Sequence, residues 1–190
     1  MKHLVSILDA AFKGRAVAPS KCISFCSDPY LLVQDNRETD ICVFVIPGDL
    51  TQEEIAQNYF SVHNDHLKNV SLWAVDGCFM SPGVGSRCDC ILFTEEEFCF
   101  VEFKLEAQTI HPKSILEHRK KASNQLRSTI ILVFGALTAR RLSLGNIQFE
   151  AYICSPPKFP SKDTSLPDER IEFLETYGVM LFEESEKHFS

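Results

Sequence analysis

Three residues in the middle of the chain have types and spacing that could do chemistry: Asp89, Glu102 and Lys104. Asp89 interrupts an apolar run between Cys88 and Cys90 and precedes Ile91, Leu92 and Phe93. An unpaired carboxylate in such a place costs several kcal/mol. Glu102 and Lys104 lie in Phe98-Cys-Phe-Val-Glu-Phe-Lys-Leu-Glu106, where strand alternation puts Glu102, Lys104 and Glu106 on one face and Cys99, Val101, Phe103 and Leu105 on the other. A short turn between the two runs can set Asp89 beside Glu102, where like charges repel unless Lys104 or a divalent cation compensates. Oxygen ligands of this kind suit Mg²⁺ or Mn²⁺.

The elements that must position these residues follow from periodicity and punctuation. A short buried strand is predicted at 41–47. Pro47-Gly48-Asp49 and Thr51-Gln-Glu-Glu54 read as a capped helix start, with a helix running from 51 to about 66. A strand at 70–75 ends in the Asp76-Gly77 turn and the turn cluster at 81–85. Strands at 87–93 and 98–105, joined by the acidic turn 94–97, form a hairpin. A helix is predicted at 112–127, opened by proline. Strands follow at 129–134 and 147–154, with a short helical turn between them at 137–144. A loop, a helix at 168–177 and a strand at 179–182 close the chain. This is a mixed α/β pattern: a mixed central sheet flanked by helices, partly antiparallel, in one domain over 1–190.

The arrangement resembles the PD-(D/E)xK nuclease superfamily, the restriction-endonuclease-like and RecB-like enzymes. The resemblance covers about 51–154, with N- and C-terminal elaborations outside it. It implies a helix, a three-stranded meander carrying the motif, a second helix and a further strand. Asp89 matches the first acid, and Glu102-Phe103-Lys104 matches the (D/E)xK element. The resemblance further implies Mg²⁺ or Mn²⁺ held by Asp89, Glu102 and the Phe103 backbone carbonyl, with Lys104 positioning the attacking water. Residue 88 is Cys where the motif has Pro. An additional acid from the preceding helix would be Glu53, Glu54 or Asp65; Glu106 is a further candidate. Gln125 matches a glutamine that RecB-like members carry after the motif. The implied activity is hydrolysis of DNA phosphodiester bonds, within a DNA-processing or defence complex. RNA is the alternative substrate.

Charge bears on this expectation. The net charge is −7, which argues against an indiscriminate nucleic-acid binder and for a protein partner that delivers the substrate. Yet 111–141 carries +6, from Lys113, Arg119, Lys120, Lys121, Arg127, Arg140 and Arg141 against Glu117. Lys113, Arg119, Lys120, Lys121 and Arg127 are the candidate phosphate contacts. The competing reading of Glu102, Lys104 and Glu106 is an edge-strand charge ladder. That of the basic run is a solvated helix face. A nuclease-like fold serving only as a protein-binding module is the functional alternative.

Eight cysteines in a chain able to build a core read as reduced structural thiols, and no CxxC pair marks a zinc site. His63 and His66 have a metal-binding spacing but no third ligand in view. The N-terminus reads neither as a membrane span nor as a good signal peptide, so the expectation is a cytoplasmic protein with no membrane association.

Overall fold

The computed structural model describes residues 1–81, 85–105, 112–156 and 166–189. In chain order the elements are α1 (Lys2–Ala11), β1 (Ile23–Cys26), β2 (Tyr30–Asn36), β3 (Ile41–Val45), α2 (Gln52–Asn58), β4 (Phe60–His63) and β5 (Val70–Ala74). Then come β6 (Cys90–Phe93), β7 (Glu97–Phe103), α3 (Pro112–Ala139), β8 (Gln148–Cys154), α4 (Leu166–Tyr177), β9 (Met180–Phe182) and β10 (Glu186–His188).

Six strands form a mixed sheet in the order β1-β5-β6-β7-β8-β9. The first four are antiparallel neighbours, and β7, β8 and β9 run parallel. The other four strands form a second sheet, β10-β4-β2-β3. Every residue of β6 and β7 is buried, as a sheet covered on both faces requires. Ile91, Phe93, Phe98 and Phe100 pack with Leu126, Ile130 and Val133 of α3, Leu4 and Leu8 of α1, and Phe173 of α4. On the opposite face, Cys90, Leu92, Cys99 and Val101 pack with Leu31 and Val33 of β2 and Phe60 and Val62 of β4. The layers are therefore helices, main sheet, second sheet. Helices cover one face of the main sheet and strands the other.

The expected hairpin is present, with Thr94 Oγ1 accepting the Glu96 and Glu97 N–H groups at its turn. Because β7 lies between β6 and β8, Glu102 is not on an edge strand, and the charge-ladder reading falls. Three expected elements are corrected. The helix from 51 has the expected Thr51–Glu54 capping box but stops at Asn58. Beyond it Phe60 and Val62 alternate inward as β4, because the second sheet needs a strand there more than the surface needs a longer helix. The strand expected at 129–134 and the turn at 137–144 are largely absorbed into α3. Leu126, Ile130, Val133 and Leu137 recur at helical spacing and face the sheet, while Ile131 is exposed.

The thiols are also corrected in part. Cys22 and Cys78 form a disulfide that ties the segment after α1 to the loop after β5, whereas six cysteines are free. Among the described residues no helix is long and apolar enough to cross a membrane. Part of the turn at 81–85 and part of the loop at 155–167 lie outside the described residues, as does Glu106.

Candidate active site

The site is built where β6 begins and β7 ends. The ladder pairs Cys90 with Val101, so one step further along the same register sets Asp89 opposite Glu102. Asp89 has left the ladder, however. Its carbonyl accepts both the Val75 and the Asp76 N–H, each at 3.1 Å, and its side-chain Oδ2 accepts the Phe103 N–H at 2.6 Å. The carboxylate thus takes the place of a strand partner at the end of the sheet, between the helical layer and the second sheet.

Glu102 follows Phe98 and Phe100 on the face that α3 covers, and it is 1% exposed. Lys104 donates from Nζ to Glu102 Oε1, to the Phe103 carbonyl at 3.1 Å and to Gln125 Oε1 at 3.2 Å. Gln125 Nε2 in turn donates to the Arg87 carbonyl at 3.0 Å. One helical turn on, Thr129 Oγ1 accepts the Cys88 N–H at 2.7 Å. Gln125 and Thr129 thereby clamp the segment leading into Asp89, and Gln125 also holds Lys104. Asp89, Glu102, Lys104 and Gln125 all line one cleft of about 790 Å³.

Burial dominates the electrostatics of this cleft. Burial pushes Asp89 up to about 7; the Phe103 N–H and Lys104 oppose the rise, while Asp35 and Asp76 add to it. Burial also raises the Glu102 carboxyl well above the ordinary range, and Asp89 raises it further against the opposing pull of Lys104 and Lys121. Glu102 Oε2 is buried and has no hydrogen-bond partner among the described residues. A buried carboxylate oxygen left without a partner among the described residues, in a cleft shared with a second carboxylate, is a donor set that a hard divalent cation would satisfy, so the residues fit Mg²⁺ or Mn²⁺. The Phe103 carbonyl, expected as a further ligand, already accepts from Lys104.

Sequence reasoning misses two acids that border the cleft, Asp35 and Glu38. Asp35, from β2, borders it together with Asn36 and Asn58. Its only sequence signal is a carboxylate ending the apolar run Leu31-Leu32-Val33. That position becomes meaningful once the second sheet packs over the first. The acids expected from the preceding helix are elsewhere. Glu54 is committed to Thr51, accepting its backbone N–H at 2.8 Å, and Glu53 accepts from Gln57. Asp65 borders a different recess, with Tyr30, His63 and Glu186.

No protein-family model, curated protein or solved structure matches this chain.

The basic face of α3 is smaller than its sequence implies. Arg119 is buried in a two-point pair with Glu183, Nε to Oε1 at 2.7 Å and a second nitrogen to Oε2 at 2.9 Å, so it faces the interior and not a nucleic acid. Arg127 pairs with Glu172 and lies over the Phe173 ring at 5.3 Å. Lys113, Lys120 and Lys121 remain exposed. Lys120 and Lys121 border a groove of about 620 Å³ with Arg87 and Asn124, and Lys121 borders the cleft of Asp89 and Glu102 as well.

Proposed function

We propose that this protein is a metal-dependent nuclease that hydrolyses DNA phosphodiester bonds on a restriction-endonuclease-like core of the PD-(D/E)xK kind. The observation that carries the reading is the meeting of Asp89, Glu102 and Lys104 in one cleft, with a buried Glu102 oxygen that has no partner among the described residues. Asp89 and Glu102 would hold Mg²⁺ or Mn²⁺, which when bound supplies Lewis-acid stabilisation of the phosphoryl oxygens and lowers the pKa of water. Lys104 sets a fixed positive charge where the transition state gains negative charge. Gln125 limits the directions that ammonium can take, so Lys104 is aimed before substrate arrives. Lys120 and Lys121 grip backbone phosphates without reading sequence. With Arg119 and Arg127 of α3 taken up in ion pairs and a net charge of −7, a protein partner delivering the DNA is part of the proposal. Six free cysteines suit a cytoplasmic setting, with the Cys22–Cys78 pair as the exception.

One observation favours a second reading, a silent module that binds protein. Lys104 already neutralises Glu102 at its Oε1, so the pair has a purely structural use. Purified protein incubated with plasmid, linear and single-stranded DNA, with and without Mg²⁺ or Mn²⁺, separates the two. Metal-dependent cutting that falls by about 10²-fold or more in Lys104→Ala supports the nuclease. Identical behaviour of wild type and variant on every substrate refutes it.

A further inference from the structure

Three side chains remote from the cleft converge on the outer surface of the second sheet. β10 runs parallel to β4, in a register that sets His188 opposite His63 and Glu186 opposite Ser61. Phe60 and Val62 of β4 and Lys187 of β10 are buried, so alternation turns His63, Glu186 and His188 outward. The two imidazoles stack with centroids 4.1 Å apart and planes within 3°. Glu186 Oε2 lies 3.9 Å from His63 Nε2. Tyr30 lies against the His63 ring, centroids 5.1 Å apart, and its hydroxyl is 3.2 Å from Ser61 Oγ. His63 is therefore held between two rings and not left to swing in solvent.

We propose that His63, Glu186 and His188 bind one divalent transition-metal ion of the zinc class, clamping the C-terminal strand to β4. Two imidazoles and one carboxylate are a set that zinc accepts with water in the fourth position. The all-oxygen cleft around Glu102 suits a harder cation, so the two sites differ in the ion they select. One ligand atom from each of the three residues already lies within 4.8 Å of the others. Zinc bonds of about 2.0–2.1 Å place tetrahedral ligand atoms about 3.3 Å apart. Rotation of the exposed Glu186 and His188 side chains toward the held His63 closes that gap without moving the strands.

The clamp would act on a strand of three residues that supplies Lys187 to the buried carboxylates Glu97 and Glu150. The pairing also explains why the histidines are inconspicuous in the sequence. His63 and His66 are near neighbours, but His63 ends β4 while His66 falls in the following turn. The partners that complete the set come from the far end of the chain.

The test is calorimetric titration of zinc into the full, chelator-stripped protein, followed by melting curves and a cobalt(II) absorption spectrum. The expected result is one equivalent of zinc, a raised melting temperature and a cobalt spectrum without thiolate charge transfer. His188→Ala and Glu186→Gln should each weaken binding by at least the roughly 10–100-fold that loss of an outer-shell partner causes, and abolish the melting shift. Asp89→Asn should leave zinc binding unchanged. The proposal is overturned if wild type takes up no zinc, if His188→Ala binds it as wild type does, if cobalt reports thiolate ligation, or if Asp89→Asn removes the binding.

Discussion

Lys104 Nζ donates to Gln125 Oε1 at 3.2 Å, joining the end of β7 to the middle of α3. Since Gln125 Nε2 donates to the Arg87 carbonyl, its oxygen is the end turned to the ammonium. Gln125 is thus a positioning residue for Lys104. Gln125→Ala is expected to lower the rate at saturating DNA by about 10–100-fold with little change in KM, and to lower the melting temperature modestly because the Arg87 carbonyl loses its donor. Steady-state cleavage under Mg²⁺, read beside a melting curve, checks this. An unchanged rate would remove Gln125 from the machinery.

The acid–base state of Asp89 makes stability fall as pH rises. Burial holds its folded value up at about 7, whereas an unfolded aspartate titrates near 3.9. Between those values the folded protein binds more protons than the unfolded chain, so without divalent cations stability declines from about pH 4 to about pH 7. Asp89→Asn keeps an acceptor for the Phe103 N–H and abolishes the charge. It should match wild type at pH 4 and exceed it at pH 8 by on the order of 2–4 kcal/mol. Urea unfolding at the two pH values gives the comparison, and an equal gap at both would show that Asp89 does not titrate in this window.

Arg119 and its neighbours on α3 should separate stability from substrate binding. Arg119 and Glu183 are each 2% exposed, so Arg119→Ala leaves a buried carboxylate without its partner and is expected to cost about 3–5 kcal/mol. The salt dependence of DNA affinity should be unaltered. Lys120→Ala and Lys121→Ala should do the opposite, with stability little changed and the slope of log affinity against log salt reduced by about 0.9 for each phosphate that the variant no longer neutralises. Denaturant unfolding and fluorescence anisotropy at several salt concentrations measure the two quantities.

The trio of Asp89, Glu102 and Lys104 and its hairpin were legible because the signals are local. Asp89 and Glu102 break apolar runs, and the four-residue turn fixes the pairing of their strands. The helix cap at Thr51 was legible for the same reason. Where the helix stops was not, because Tyr59-Phe60-Ser61-Val62 satisfies either periodicity, and contact with β2 selects the strand. The β-branched run from Thr129 likewise favours a strand by propensity, but continuity with the inward stripe of α3 outweighs it. Asp35 and the withdrawal of Arg119 both depend on partners distant in sequence, Asp89 and Glu183. The Cys22–Cys78 pair spans 56 residues and carries no motif.

Calorimetric titration of Mg²⁺ and Mn²⁺ into wild type and Glu102→Gln at pH 7, repeated in buffers of different ionisation heat, addresses the cleft most directly. Two carboxyls held above their ordinary range must shed protons as a cation binds, so the expected result is saturable uptake by wild type with proton release, lost in the variant. No uptake by wild type, or equal uptake by Glu102→Gln, would contradict a metal site built on Asp89 and Glu102.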